Sequence, residues 1–160
     1  MTPTAIPSDL VADEIQHLLQ QGRERSASAR MQADLLTILQ RQFTVTVEPI
    51  DPAFDRAQVL SVRSGEDAWA VNVSLAATYA YILREDASQV SLISSDSTDL
   101  DAPEQTILTA LTECGFRVLT LPELQLSIAS SADTVTTIFA LCFQEGGDPF
   151  WEFNWFTENE

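Results

Sequence analysis

Gln58-Val59-Leu60-Ser61-Val62-Arg63 and Ala68-Trp69-Ala70-Val71-Asn72-Val73 are two apolar runs joined by Ser64-Gly65-Glu66-Asp67. Two short runs with a glycine at the bend between them read as a β-hairpin, because glycine reaches the left-handed backbone that a tight turn demands. Just upstream, Thr44 to Glu48 alternates β-branched residues until Pro49 and Pro52 stop it. Proline cannot donate to a ladder, so it closes that strand. A sheet therefore begins at Thr44.

Ahead of the sheet the apolar period lengthens to that of a helix. Pro7, with Ser8 or Asp9 as N-cap, opens a helix carrying Val11, Ile15, Leu18 and Leu19 that stops at Gly22. A second helix is expected over about 28–42, with Met31, Leu35, Ile38 and Leu39 on one stripe. Beyond the hairpin, Ser74 is placed to cap a helix over 75–84 carrying Leu75, Tyr79, Ile82 and Leu83, and Val90 to Ser94 reads as a strand. Asp101 and Glu104 have capping-box spacing, Pro103 sits in the first turn, and Gly115 ends the helix carrying Ile107, Leu108, Leu111 and Cys114.

Phe116 to Leu121 reads as a strand, which Leu124, Leu126 and Ile128 extend past a kink at Pro122. Thr134 to Gln144 reads as a central strand. It sets Val135, Thr137, Phe139, Leu141 and Phe143 on one face and Ile138, Ala140 and Cys142 on the other. Gly146-Gly147-Asp148-Pro149 breaks it. The expected fold is α+β: N-terminal helices packed on a mainly antiparallel sheet in a single domain over 1–160. Its parts are a helical 1–42, a mixed sheet with two helices over 43–149, and an aromatic, acidic segment over 150–160.

The order helix, three strands, helix, strand over residues 28–94 resembles the αβββαβ core of PD-(D/E)xK nucleases. That resemblance implies an acid on the second strand and Glu-x-Lys on the third, holding magnesium. The third strand here ends Val71-Asn72-Val73-Ser74, with neither acid nor lysine. At most a degenerate nuclease-like domain is implied.

Residue counts exclude more chemistry than they suggest. The 160 residues contain eight basic side chains, all arginine, so no lysine is present for a Schiff base or a P-loop. His17 is the single histidine, and Cys114 and Cys142 are the only cysteines. Those three soft ligands are too scattered for a zinc site, and a Ser-His-Asp triad would have to recruit His17 from the terminal helix. Ser94 to Asp101 lacks the glycine and terminal glutamate of a calcium loop. No cofactor is expected, and no catalytic or metal-binding residue stands out. No basic, apolar leader opens the chain and no run approaches the ~18 apolar residues of a membrane helix. The expectation is a cytoplasmic protein with reduced thiols and no membrane association.

Charge is the dominant bulk property: 24 acids against 8 arginines, a net −16, with a pI near 4.1. Residues 1–42 hold four arginines and five acids; residues 43–160 hold four arginines and nineteen acids, and no basic side chain follows Arg117. Such a surface repels phosphate backbones, so direct nucleic-acid binding is not expected. It suits a protein partner with a basic surface, steered by charge. Self-association is left open.

Phe150, Trp151, Phe153, Trp155 and Phe156 crowd the C-terminal segment, flanked by Glu152 and Glu158. One reading is a last strand that turns Trp151, Phe153 and Trp155 onto the core. The other is an aromatic anchor for a partner, built from Trp151, Phe153, Trp155 and Phe156 with Glu152 and Glu158 beside it. The expected function is a non-catalytic acidic adaptor, assembly factor or regulator that binds another protein. Two alternatives are an acidic inhibitor resembling DNA that blocks a nucleic-acid enzyme, and a metal-dependent hydrolase using carboxylates alone.

Overall fold

The computed structural model describes residues 25–49, 57–74, 79–86, 89–94, 97, 100–129, 135–143, 149–153 and 156–157. The expected first helix, with His17, lies outside the described residues. The second is α1 (Arg25–Gln40), whose Leu35 and Leu39 are fully buried. It ends without glycine, by a turn in which Gln42 and Phe43 both donate their N–H to the Leu39 carbonyl.

The hairpin forms as β2 (Ala57–Ser64) and β3 (Asp67–Ser74), in antiparallel register from Ala57↔Ser74 to Ser64↔Asp67. Only Gly65 and Glu66 lie between them, and Gly65 takes φ +62°. β1 (Thr44–Val47) pairs antiparallel with β2. β4 (Tyr79–Asp86) and β5 (Gln89–Ile93) continue the sheet antiparallel.

β4 corrects the expected helix over 75–84; residues 75–78 lie outside the described residues. The run Tyr79-Ala80-Tyr81-Ile82-Leu83 is apolar at every position, so it satisfies a helical stripe and a doubly buried strand equally. Pairing decides. β3 meets it from Ala68↔Glu85 to Val73↔Ala80, and β5 from Ile82↔Ile93 to Asp86↔Gln89. With a strand there instead of a helix, the nuclease-like element order is lost.

α2 (Ala102–Glu113) carries the expected capping box at Asp101 and Glu104, and Gly115 follows at φ +92°. The next strand is short. β6 (Arg117–Val118) joins β4 in parallel, and Leu119 N–H then donates to the Ala80 carbonyl. Thr120 and Glu123 form a second capping box that starts α3 (Leu121–Leu124), with Pro122 in its first turn. Leu124 is therefore helical, and the expected extension survives only as β7 (Ser127–Ala129).

The long strand over 134–144 is also corrected. β8 (Val135–Thr137) pairs with β7, and α4 (Ile138–Cys142) follows at once. The Thr137 hydroxyl accepts from Ala140 N–H, an N-cap at the head of the apolar run Ile138 to Phe143. A 3-10 turn (Phe150–Glu152) and β9 (Phe156–Thr157), parallel to β5, complete the described chain.

Among the described residues the main sheet has seven strands in the order β1-β2-β3-β4-β5-β9, with β6 beside β4. The fold is α+β, with N-terminal helix α1 on a mainly antiparallel sheet. Two cores lie on opposite faces. One joins Leu35, Leu39, Ile107 and Leu111 of the helices to Val62, Trp69, Val71 and Ile82. The other sets Tyr81, Leu83 and Leu92 under the C-terminal elements, through Leu124, Ile138, Phe139, Phe143 and Phe150.

Candidate functional site

The aromatic segment divides into buried and open rings, and the division follows from what lies beneath it. Tyr81 projects from the middle of β4 onto the second core face. Phe150 stacks on it with centroids 5.2 Å apart and planes at 16°. Phe143 meets Tyr81 edge-on at 4.8 Å. Trp151, half-buried, meets Phe139 at 5.0 Å and Phe150 at 5.1 Å, both edge-on. Phe156, also half-buried, packs its edge on Phe150 at 5.0 Å while its backbone pairs with Val90. Such edge and offset contacts add to the area these rings bury.

Two of the expected partner-binding rings, Trp151 and Phe156, are thus partly spent on the core. Phe153 is 42 % exposed and Glu152 is exposed beside it. Trp155 and Glu158 lie outside the described residues. Phe150, the ring that anchors the segment, is the functional neighbour that the pattern alone did not separate from the others. Its proline at 149 was the available signal, since proline caps the 3-10 turn that aims Phe150 inward.

Two carboxylates that count toward the acidity are turned inward. Glu104 accepts from Asp101 N–H at 3.1 Å and from Trp69 Nε1 at 3.1 Å, and Arg84 Nη1 lies 3.4 Å away. Glu123 closes its own capping box with Thr120 and also accepts from Arg117. Both carboxylates tie a helix start to the sheet side of the molecule. Neither is available to a partner.

Cys114 is a free, half-buried thiol at the end of α2. Burial pushes its pKa up, and the Asp34 and Glu113 carboxylates push the same way. Among the described residues no three His, Cys, Asp or Glu side chains converge in a way that could hold a metal ion. No described helix is long and apolar enough to cross a membrane.

What remains is a surface suited to contact: an exposed phenyl ring at Phe153, between the core-packed Phe150 and Phe156 in the chain, with the exposed Glu152 carboxylate beside it. The chain matches no protein-family model, no curated protein and no solved structure, so its own residues carry the functional reading.

Proposed function

We propose that this chain is a non-catalytic acidic module, an adaptor, assembly factor or regulator, that binds another protein bearing a basic surface. The contact is made by Phe153, Glu152 and the open side of Trp151. The observation that carries the reading is Phe153, exposed at 42 % although its neighbour Phe150 is buried in the core. Phe153 N–H donates to the Phe150 carbonyl and its own carbonyl accepts from Phe156 N–H, so the backbone that carries the ring is already held and less entropy is lost when a partner covers it. The net −16 supplies attraction toward a basic partner and repels phosphate. The free Cys114 thiol suits a reducing compartment such as the cytoplasm.

The test is capture from native cell extract on the immobilised wild-type chain and on Phe153→Ala in parallel. A basic protein retained by the wild type, released by salt and lost with Phe153→Ala supports the reading. Equal retention by both chains removes it. Retention of a nucleic-acid enzyme that is indifferent to Phe153 but abolished by salt would instead favour an inhibitor resembling a phosphate backbone.

A further inference from the structure

Val47 and Phe153 are the two large apolar side chains exposed among the described residues, and they belong to opposite ends of the sheet. Phe153 precedes β9, whereas Val47 ends β1, which among the described residues pairs with β2 alone. The phase of that pairing is fixed by Glu48, whose N–H donates to the Val59 carbonyl directly opposite. In an antiparallel ladder such bonds recur at every second residue. Thr44, Thr46 and Glu48 therefore face β2, and Val45 and Val47 turn their N–H and C=O groups outward.

We propose that this edge pairs with β1 of a second copy of the chain, antiparallel about a two-fold axis through Thr46, so that the two sheets become one. In this register Val45 of each copy lies opposite Val47 of the other. All four outward N–H groups and their carbonyls are then paired. The exposed Val47 is covered by a β-branched neighbour, and Thr46 faces Thr46, a cross-strand pair that sheets favour. Pro49, which has no N–H to offer, falls just outside the paired stretch.

Charge selects this occupant and this direction. Thr44 to Val47 carries no charge, so the joint brings no like charges together along the paired strands. The register also sets Glu48 of the second copy directly across from Thr44, whose other neighbour is Arg63. Glu48, Thr44 and Arg63 then share one face of the joined sheet, with Arg63 and Glu48 about 9–10 Å apart at the backbone, two strand spacings. Two long, exposed, opposite charges meet over a small threonine, and the two-fold repeats the contact. Parallel pairing would lose it.

The experiment measures molecular mass by sedimentation over a wide concentration range, with backbone amide exchange at Val45 and Val47. The expected result is a concentration-dependent dimer in which both amides gain protection as dimer forms. Glu48→Arg alone and Arg63→Glu alone each weaken the dimer about tenfold, and the double exchange restores it. Val47→Lys abolishes the dimer. All of these positions are solvent-facing, so circular dichroism confirms that each variant stays folded. A monomer at every concentration overturns the proposal, as does a dimer indifferent to Val47→Lys and to the charge exchange. Protection of both amides independent of concentration also overturns it, because the chain's own residues would then occupy the edge.

Discussion

Trp69 Nε1 donates to Glu104 Oε2 at 3.1 Å, joining residues thirty-five positions apart in a region closed to solvent. The same carboxylate caps its own helix and lies near Arg84, so one side chain holds a strand, a helix start and a second strand together. Hydrogen bonds of this kind are costly to break from one side, since the remaining donor stays buried and unmet.

Glu104→Gln should accordingly lower stability by about 2–3 kcal/mol, read from the urea midpoint. Combining it with Trp69→Phe, which removes the stranded indole N–H, should cost less than the two single changes added together, by ~1 kcal/mol. Strict additivity would mean the indole bond is energetically idle.

Phe150 and Phe153 should separate cleanly. Phe150→Ala empties the stack on Tyr81 and should cost about 3–4 kcal/mol, while Phe153→Ala should leave stability within ~0.5 kcal/mol. Thermal melts of the two variants decide this. Deleting residues 148–160 would take Phe150 with it, so that truncation should unfold and cannot stand in for the point substitution.

Alkaline pH should unfold the protein through Tyr81. Burial raises its phenol pKa well above the ordinary value. The unfolded chain therefore releases this proton near pH ~10 while the folded chain keeps it, and stability falls as pH rises above that value. Without lysine, the side chains that titrate in this range are few: two tyrosines and two cysteines. Tyr81→Phe should flatten the decline in melting temperature between neutral and alkaline pH. An unchanged slope would locate the effect elsewhere.

Cys114 should alkylate more slowly than a free thiol at neutral pH, because desolvation and two nearby carboxylates disfavour the reactive thiolate. Raising the pH should speed the reaction. Asp34→Asn should speed it modestly at fixed pH, since burial is the larger cause. Rates with iodoacetamide in a Cys142→Ser background test both statements.

Gly65→Ala should cost about 1–2 kcal/mol, although a methyl group there would meet open space. The penalty comes from φ +62°, which an L side chain resists. Chemical denaturation of this variant, beside Gly65→Asn as a milder change, would show that the backbone alone sets the cost.

The hairpin about Gly65, the strand at Thr44, α1 with Leu35 and Leu39, and the Asp101–Glu104 capping box were legible in the chain itself. Each is decided by neighbours within about ten positions: a turn residue, a cap, or an apolar period on one face only. Exclusion of lysine chemistry and the uneven distribution of acids needed no structure either. Tyr79 to Leu83 and Ile138 to Phe143 were different. Both runs are apolar on every side, so strand and helix bury them equally well, and local preference has nothing to choose between. Only tertiary structure decided them. β3 and β5 offered Tyr79 to Leu83 hydrogen-bonding partners on both flanks, and Thr137 capped a helix that could lay Phe139 and Phe143 against Tyr81. The same packing drew Phe150 inward and left Phe153 out, because a ring's burial depends on the surface beneath it, and that surface is assembled from residues distant in sequence.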